Sequence, residues 1–354
     1  MCYSLRKKIE KGMRHGGSGV FLYAASLIYG IAVAMRLFLY RLGVFKTKAL
    51  DIPVISIGNL TTGGTGKTPM TMHVARILKE RGFKPAILSR GYRGSYAGIE
   101  VVSDGRVLLA APDASGDEPY LMAKRLLGHD VPVVVGRDRY KAGLFAVERF
   151  SPDVVILDDG FQHIRLKRDI DILLIDNRIG FGNARLLPAG YLREPLGSLG
   201  RADVFMLKGQ RSAKDAIEKV AARPVFYFSL KPTDLRGIKT GEAQPLSCLK
   251  GRTVLALTGI AVPESFYETI EALGVDIKQR LAYPDHHPYT EADIRDITRL
   301  SAGIDMVVTT EKDAVRLKSY KERLGGLFVI AVDVELDDEK GFAGMIITAI
   351  RRHG

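Results

Sequence analysis

The feature that most constrains this chain is Gly63-Gly64-Thr65-Gly66-Lys67-Thr68, set between the β-branched run Ile52–Ile57 and an apolar-periodic segment, Met70–Arg81, that ends near Gly82. Strand, glycine-rich loop and helix in that order are the context a Walker A motif requires. Glycines let backbone N–H groups turn toward a phosphate chain, and the helix N-terminus adds its dipole. Lys67 can then reach the β- and γ-phosphates, and Thr68 can ligate Mg²⁺. The candidate ATP site is therefore Thr61, Thr62, Gly63, Gly64, Thr65, Gly66, Lys67 and Thr68, with Thr61 standing where the strict pattern asks for glycine. Further strand-like runs, Lys84–Ser89, Val131–Val135, Val154–Leu157 and Ile170–Ile175, alternate with helical segments. The fold class that follows is α/β, a P-loop NTPase-like domain with a mainly parallel sheet.

Acidic residues occupy the places such a sheet offers. Pro152–Leu157 is a hydrophobic strand running into Asp158-Asp159-Gly160, a Walker B arrangement that sets a carboxylate beside Mg²⁺ at a strand's carboxyl end. Ser115-Gly116-Asp117-Glu118-Pro119 begins a helix. There Asp117 reads either as an N-cap, with Glu118 a first-turn acid, or as a base beside the γ-phosphate. Pro284-Asp285-His286-His287-Pro288-Tyr289 is a dense polar turn, by local pattern a surface turn rather than a metal pair. Thr309-Thr310-Glu311-Lys312-Asp313 follows a strand and suits either a ligand loop or a helix cap from Thr310 to Asp313.

Charge is concentrated at the start of the chain. The formal net charge is +12, and the first fifty residues hold Arg6, Lys7, Lys8, Lys11, Arg14, Arg36, Arg41, Lys46 and Lys48 against the single acid Glu10. No folded basic face with interleaved aromatics is legible, so nucleic acid is not an expected partner. Inside this arm Gly16–Met35 is an uncharged, apolar run just long enough to span a hydrocarbon core. A cleaved leader would strand an ATP motif where no ATP exists, and a single span would normally show a one-sided excess of cations. A helix lying in an anionic headgroup layer tolerates cations at both ends and is the favoured reading, with a spanning helix next and a buried helix of the fold as the bland alternative. Cys2 and Cys248 suggest neither a disulfide framework nor a zinc site.

Seven segments follow one another along nearly the whole chain: GNLTTGGTGKTP at Gly58–Pro69, SRGYRG at Ser89–Gly94, GDEP at Gly116–Pro119, DDGFQH at Asp158–His163, LPAGYLREP at Leu187–Pro195, PDHHPY at Pro284–Tyr289 and TTEKD at Thr309–Asp313. Together they closely resemble the tetraacyldisaccharide 4′-kinase family, the lipid A kinases of Gram-negative bacteria. The resemblance implies transfer of the ATP γ-phosphoryl group to the 4′-hydroxyl of tetraacyldisaccharide 1-phosphate, giving lipid IVA, at the cytoplasmic face of the inner membrane. It implies a lipid substrate, a membrane surface and no obligate protein partner. It makes Asp117 the catalytic base and His286 its partner, with Lys67 on the nucleotide and Thr68, Asp158, Asp159 and Glu194 around Mg²⁺. Arg90 and Arg93 stand as phosphate contacts or as solvated surface. At Gly259-Ile260-Ala261-Val262-Pro263 the chain departs from the polar loop expected of relatives. Rival readings are a membrane-attached P-loop switch ATPase and a soluble small-molecule kinase.

The expected organisation is a membrane-associated helical arm at 1–48, a P-loop kinase core at 49–224, a linker at 225–249 and a second, smaller α/β domain at 250–354. The linker is polar and broken by Pro232, Gly237, Gly241 and Pro245. The family resemblance implies that it is two-stranded.

Overall fold

The computed structural model describes residues 17–209 and 223–353. The basic cluster Arg6–Arg14 and Cys2, on which part of the reading of the arm rests, lie outside the described residues. The chain divides into two compact units, one of them Leu230–Asp333 and the other the described residues up to Ser229 together with those from Val334 onward.

The larger unit begins with helix α1 (Gly17–Arg41) and continues through β1 (Val54–Asn59), α2 (Lys67–Glu80), β2 (Pro85–Ser89), β3 (Ile99–Ser103), a single turn Pro112–Ser115, and α3 (Asp117–Arg125). It goes on with β4 (Val133–Gly136), α4 (Arg139–Phe150), β5 (Val154–Asp158), β6 (Ile170–Asp176), β7 (Val204–Lys208) and the start of β8 (Val225–Gly237). The sheet runs β8-β7-β6-β1-β5-β2-β4-β3, and β3 alone of these is antiparallel to its neighbour. Residues of β1, β2, β4, β5 and β6 are buried along their whole length, the pattern of parallel strands covered on both faces. Val54, Leu88, Val134, Ala142, Ala146 and Val155 share one hydrophobic cluster, so α4 packs on these central strands. Helix α2 stops at Arg81 because Gly82 follows with φ 85°, a left-handed conformation that glycine adopts without strain.

The central position of β1 decides where chemistry can sit. It lies between β5 and β6 with Ile57 opposite Asp158, so the loops that leave β1 and β5 emerge side by side at the carboxyl edge of the sheet. Strand β2 flanks β5 on its other side with Leu88 opposite Leu157, which brings the loop after Ser89 to the same edge.

The smaller unit contains the end of β8, β9 (Ala243–Gln244), β10 (Thr253–Thr258), α5 (Pro263–Glu271), β11 (Asp276–Ala282), α6 (Glu291–Leu300), β12 (Met306–Thr310), α7 (Glu311–Arg316) and most of β13 (Leu327–Leu336). Strands β11, β10, β12 and β13 pair in parallel in that order. Alternate residues of β10 serve two cores, as the two-residue period of a strand requires. Leu255 and Leu257 join Ile294, Ile297 and Leu317, while Val254 and Ala256 join Phe266, Ile270 and Val308.

The segment read as a linker is strand along much of its length. Val225–Phe228 extends the larger sheet in parallel with β7, and Leu235 and Arg236 pair antiparallel with Gln244 and Ala243. The chain's end also departs from the expected 250–354 unit. Helix α8 (Glu339–Arg351) belongs with the larger unit, where Phe342 meets Phe226 edge-on and His353 pairs with Asp169 at 2.8 Å. Its buried face, Phe342, Ala343, Ile346 and Ile350, is the physical reason: an amphipathic helix goes where its apolar stripe is covered.

Candidate active site

The loop between β1 and α2 is built for close approach by a ligand. Gly63 has φ 137° and Gly66, the N-cap of α2, has φ 92°, conformations that a side chain would strain. A Cβ placed on Gly63 or Gly64 would meet nothing within 4 Å, so the space above these two residues is open. Asn59, fully buried at the end of β1, donates from Nδ2 to Thr65 Oγ1 at 3.1 Å, while its Oδ1 has no hydrogen-bond partner. Thr61 explains its own departure from glycine. It is buried and forms an antiparallel bridge with Leu192, and Thr62 N–H donates to Tyr191 O at 2.8 Å. A β-branched residue suits that strand-like entry to the loop.

Lys67 Nζ stands 3.7 Å from Asp159 Oδ1, and Arg193 Nη1 donates to both oxygens of Asp159 at 2.9 and 2.8 Å. Asp159 itself sits at φ 50°. Its enclosure would raise its pKa, but the charges of Lys67 and Arg193 outweigh that and hold it at about 2. Asp158 behaves in the opposite way. It is buried, accepts from Ser89 Oγ at 3.0 Å and Thr71 Oγ1 at 3.3 Å, and is pushed up to about 6 by burial and by the charges of Glu118 and Asp159. Two neighbouring carboxylates thus take different proton affinities from their surroundings.

For a cation the donors are the buried Thr68 hydroxyl at the start of α2 and the Asp158 and Asp159 carboxylates. No group of three or more His, Cys, Asp or Glu able to hold a metal occurs among the described residues. That donor set fits Mg²⁺, which binds through one or two carboxylates plus substrate phosphates rather than in an all-protein cage. Glu194 is differently engaged. It is fully buried, and its two oxygens accept from Arg36 Nη2 and Arg201 Nη2, each at 2.6 Å.

Asp117 is the first residue of α3, and Gly116 is the N-cap, so the capping reading of Asp117 does not hold. Gly116 has φ 90° and ψ 156°, and a Cβ there would meet Tyr92 O at 2.6 Å. Ser95 N–H donates to Asp113 O and Tyr96 N–H to Ala114 O, lacing the residues that follow the Ser89–Gly94 loop to the turn before Asp117. Arg90 and Arg93 are exposed, Arg93 lying over the Tyr92 ring. His286 lies in the smaller unit, in a turn where His287 stacks on Tyr283 with centroids 4.6 Å apart and pairs with Asp293 at 3.0 Å. Thr310 is the N-cap of α7 and accepts from Asp313 N–H.

Sequence reasoning passed over three groups. Arg193 has no role legible from the LPAGYLREP motif, yet it grips Asp159. Glu118 bears on Asp158. Arg139, 3% exposed at the start of α4, has Asp158 and Asp159 among the charges that act on it, and its Nε has no hydrogen-bond partner. An arginine following a buried strand at the sheet's carboxyl edge was the available signal.

Helix α1 presents two faces. Ser26 and Val33 are buried, Ser26 Oγ donates to Leu186 O at 2.9 Å, Tyr29 Oη to Arg193 O at 2.8 Å, and Arg36 reaches Glu194. These positions recur at three- and four-residue spacing, one side of a helix. Phe21, Leu27, Ile28, Ile31, Met35 and Phe38 are all more than half exposed. The stretch Gly19–Arg41 is long and apolar enough to cross a membrane.

Comparison with known proteins places these features in a family. The family model described as tetraacyldisaccharide-1-P 4′-kinase matches residues 19–351. A tetraacyldisaccharide 4′-kinase of Geobacter metallireducens is 44% identical over 323 residues, covering 90% of this chain and 94% of its own. One from Geobacter sulfurreducens is 39% identical, covering 94% and 95%. The crystal structure of LpxK from Aquifex aeolicus in complex with ATP superposes with a TM-score of 0.77 at 36% identity, over 94% of this chain and all of that one.

Proposed function

The chain belongs to the tetraacyldisaccharide-1-P 4′-kinase family, and from that premise we propose that it transfers the γ-phosphoryl group of ATP to the 4′-hydroxyl of tetraacyldisaccharide 1-phosphate, giving lipid IVA in lipid A biosynthesis. The observation that carries this reading is the Lys67–Asp159–Arg193 cluster beside the open glycine loop. It is a preorganised charge arrangement of the kind that phosphoryl transfer through a loose transition state needs.

In that reaction the bond from the γ-phosphorus to the β–γ bridging oxygen breaks, the 4′-oxygen bonds to phosphorus, and the hydroxyl proton passes to the protein while ADP departs. Asp117 is the base for that proton, and His286 also takes part in turnover. Lys67 and the backbone N–H groups of the loop from Thr61 to Thr68 hold the phosphates. Thr68, with Asp158 or Asp159, would hold Mg²⁺, which when bound neutralises charge on the β- and γ-phosphate oxygens. Glu194 reaches a metal only by exchanging Arg36 and Arg201, so its resting role is to tie α1 to the core.

The lipid substrate sets the location, the cytoplasmic face of the inner membrane. Ser26, Tyr29 and Arg36 fasten one side of α1 to its own unit, and the opposite side offers Phe21, Ile28, Ile31 and Met35. Such a helix lies in the headgroup layer, because spanning would part those bonds. Each large apolar side chain buried there contributes about 1.5–3 kcal/mol.

The test is transfer of label from γ-labelled ATP, with Mg²⁺ and detergent, to a tetraacylated disaccharide 1-phosphate, alongside Lys67→Ala. Labelled lipid that vanishes in the variant is expected. Hydrolysis of ATP without labelled lipid would move the reading to a switch ATPase.

A further inference from the structure

The turn that carries His286 is fastened at its last residue to a buried carboxylate and at its start to the Thr258–Gly259 segment that the same carboxylate holds. Asp313, fully buried in α7, accepts from Tyr289 Oη at 2.8 Å, from Gly259 N–H at 3.0 Å to each oxygen, and from Thr310 Oγ1 at 2.6 Å. Thr258 Oγ1 is 3.4 Å away, and Arg316 Nη1 pairs with Asp313 at 3.2 Å while donating to Gly259 O at the same distance. Tyr289 is the last residue of the turn. Gly259 lies beside its first: a Cβ on Gly259 would stand 3.2 Å from Pro284 O and 2.9 Å from Asp313 Oδ1. The preceding Tyr283 N–H donates to Thr258 O at 2.8 Å. One end of Pro284–Tyr289 therefore bonds to Asp313, and the other follows Tyr283, which is bonded to Thr258 beside the Gly259 that Asp313 holds.

The remaining contacts fix the interior of the turn. His287 N–H donates to Pro284 O, and the His287 ring packs in a three-ring cluster with Tyr283 and Tyr289, their centroids 4.6 and 5.3 Å away and 5.1 Å from each other. His287 is also held by Asp293, which closes the capping box at Thr290. His286 is left with φ 57°, a backbone conformation a non-glycine residue keeps only when its surroundings over-determine it. Burial and the adjacent carboxylate raise the Tyr289 hydroxyl's pKa above its ordinary value, so it stays a donor to Asp313.

We propose that Asp313 and Tyr289 are positioning residues for phosphoryl transfer, acting through His286 by holding the turn that carries it. The inference rests on the reading that His286 takes part in turnover. It assigns work to the TTEKD segment and to the Gly259 loop, whose polar contacts come from backbone groups where side chains were expected.

The experiment measures kcat and the KM for ATP in the full-length enzyme for Tyr289→Phe, Asp313→Asn, His286→Ala and the doubles of the first two with His286→Ala. Removing one hydrogen bond to a buried charge is expected to lower kcat about tenfold with KM for ATP unmoved. In the His286→Ala background the same changes should cost no further rate, because groups that act as a unit are not additive. Equal losses in both backgrounds, or normal kcat in both Tyr289→Phe and Asp313→Asn, would overturn the inference alone. Near-normal turnover of His286→Ala would overturn the reading beneath it and the inference with it. Tyr289→Phe keeps the test decisive should Asp313→Asn fail to fold.

Discussion

Replacing Asp158 by asparagine should make the protein more stable while abolishing turnover. Asp158 is buried and its pKa lies at about 6 in the fold, raised from 3.8 by burial and by Glu118 and Asp159. A raised carboxylate means that the folded state holds its proton after the unfolded chain has released it. Stability is then lost as pH climbs from about 4 through about 6 and stays lost above. Two pKa units correspond to about 3 kcal/mol at about pH 8, and roughly half of that is present at about pH 5. Asparagine carries no charge to desolvate and can keep both contacts, accepting from one of Thr71 and Ser89 and donating to the other hydroxyl. For a unit of this size the gain is an upward Tm shift of roughly 6–12 °C at about pH 8, halved at about pH 5. The assay is thermal unfolding by circular dichroism across that pH range without Mg²⁺ or nucleotide, since either ligand would favour the aspartate. A shift that is absent, negative or independent of pH would refute the argument that Asp158 is held against its own charge.

Three further outcomes follow from single contacts. Gly116→Ala should cost about 2 kcal/mol in urea unfolding and lower kcat, because φ 90° with ψ 156° is a region only glycine occupies freely and Tyr92 O would meet the new carbon at 2.6 Å; unchanged stability would count against the tight packing that sets Asp117. Arg36→Ala leaves the fully buried Glu194 with Arg201 alone and should destabilise the protein by about 1–3 kcal/mol, read from the same unfolding curves. The double change Phe21→Glu with Ile28→Glu should reduce co-sedimentation with anionic lipid vesicles at least about tenfold, and retained binding would sink the interfacial placement of α1.

What the sequence disclosed and what it withheld divide by the range of the interactions involved. The glycine loop, the strand into Asp158-Asp159 and the cap at Thr310 are local, set by neighbours within a few positions, and each is found where the pattern put it. Helix α8 was misassigned because an amphipathic pattern says that a face is buried and not against what. Asp117 looked like an N-cap because Asp is a good one, yet Gly116 takes that place.

The roles of Arg193 and Glu194 were out of reach for a stronger reason. Residues 191–194 run beside the entry to the glycine loop, with Arg193 N–H donating to Leu60 O at 2.8 Å and Thr62 N–H to Tyr191 O. Arg193 then reaches forward to Asp159, which faces Lys67, while its own carbonyl receives Tyr29 of α1 and its neighbour Glu194 receives Arg36. Every link joins residues more than twenty positions apart except those along the segment itself, and half of them use backbone groups that no residue letter encodes. Two adjacent residues therefore connect the apolar helix to Lys67 through four contacts. The segment 191–194 thus ties α1 both to Asp159 and, through Leu60 and Thr62, to the entry of the glycine loop. That double attachment is a property of the fold, and it gives the LREP segment a physical purpose that its spelling alone does not convey.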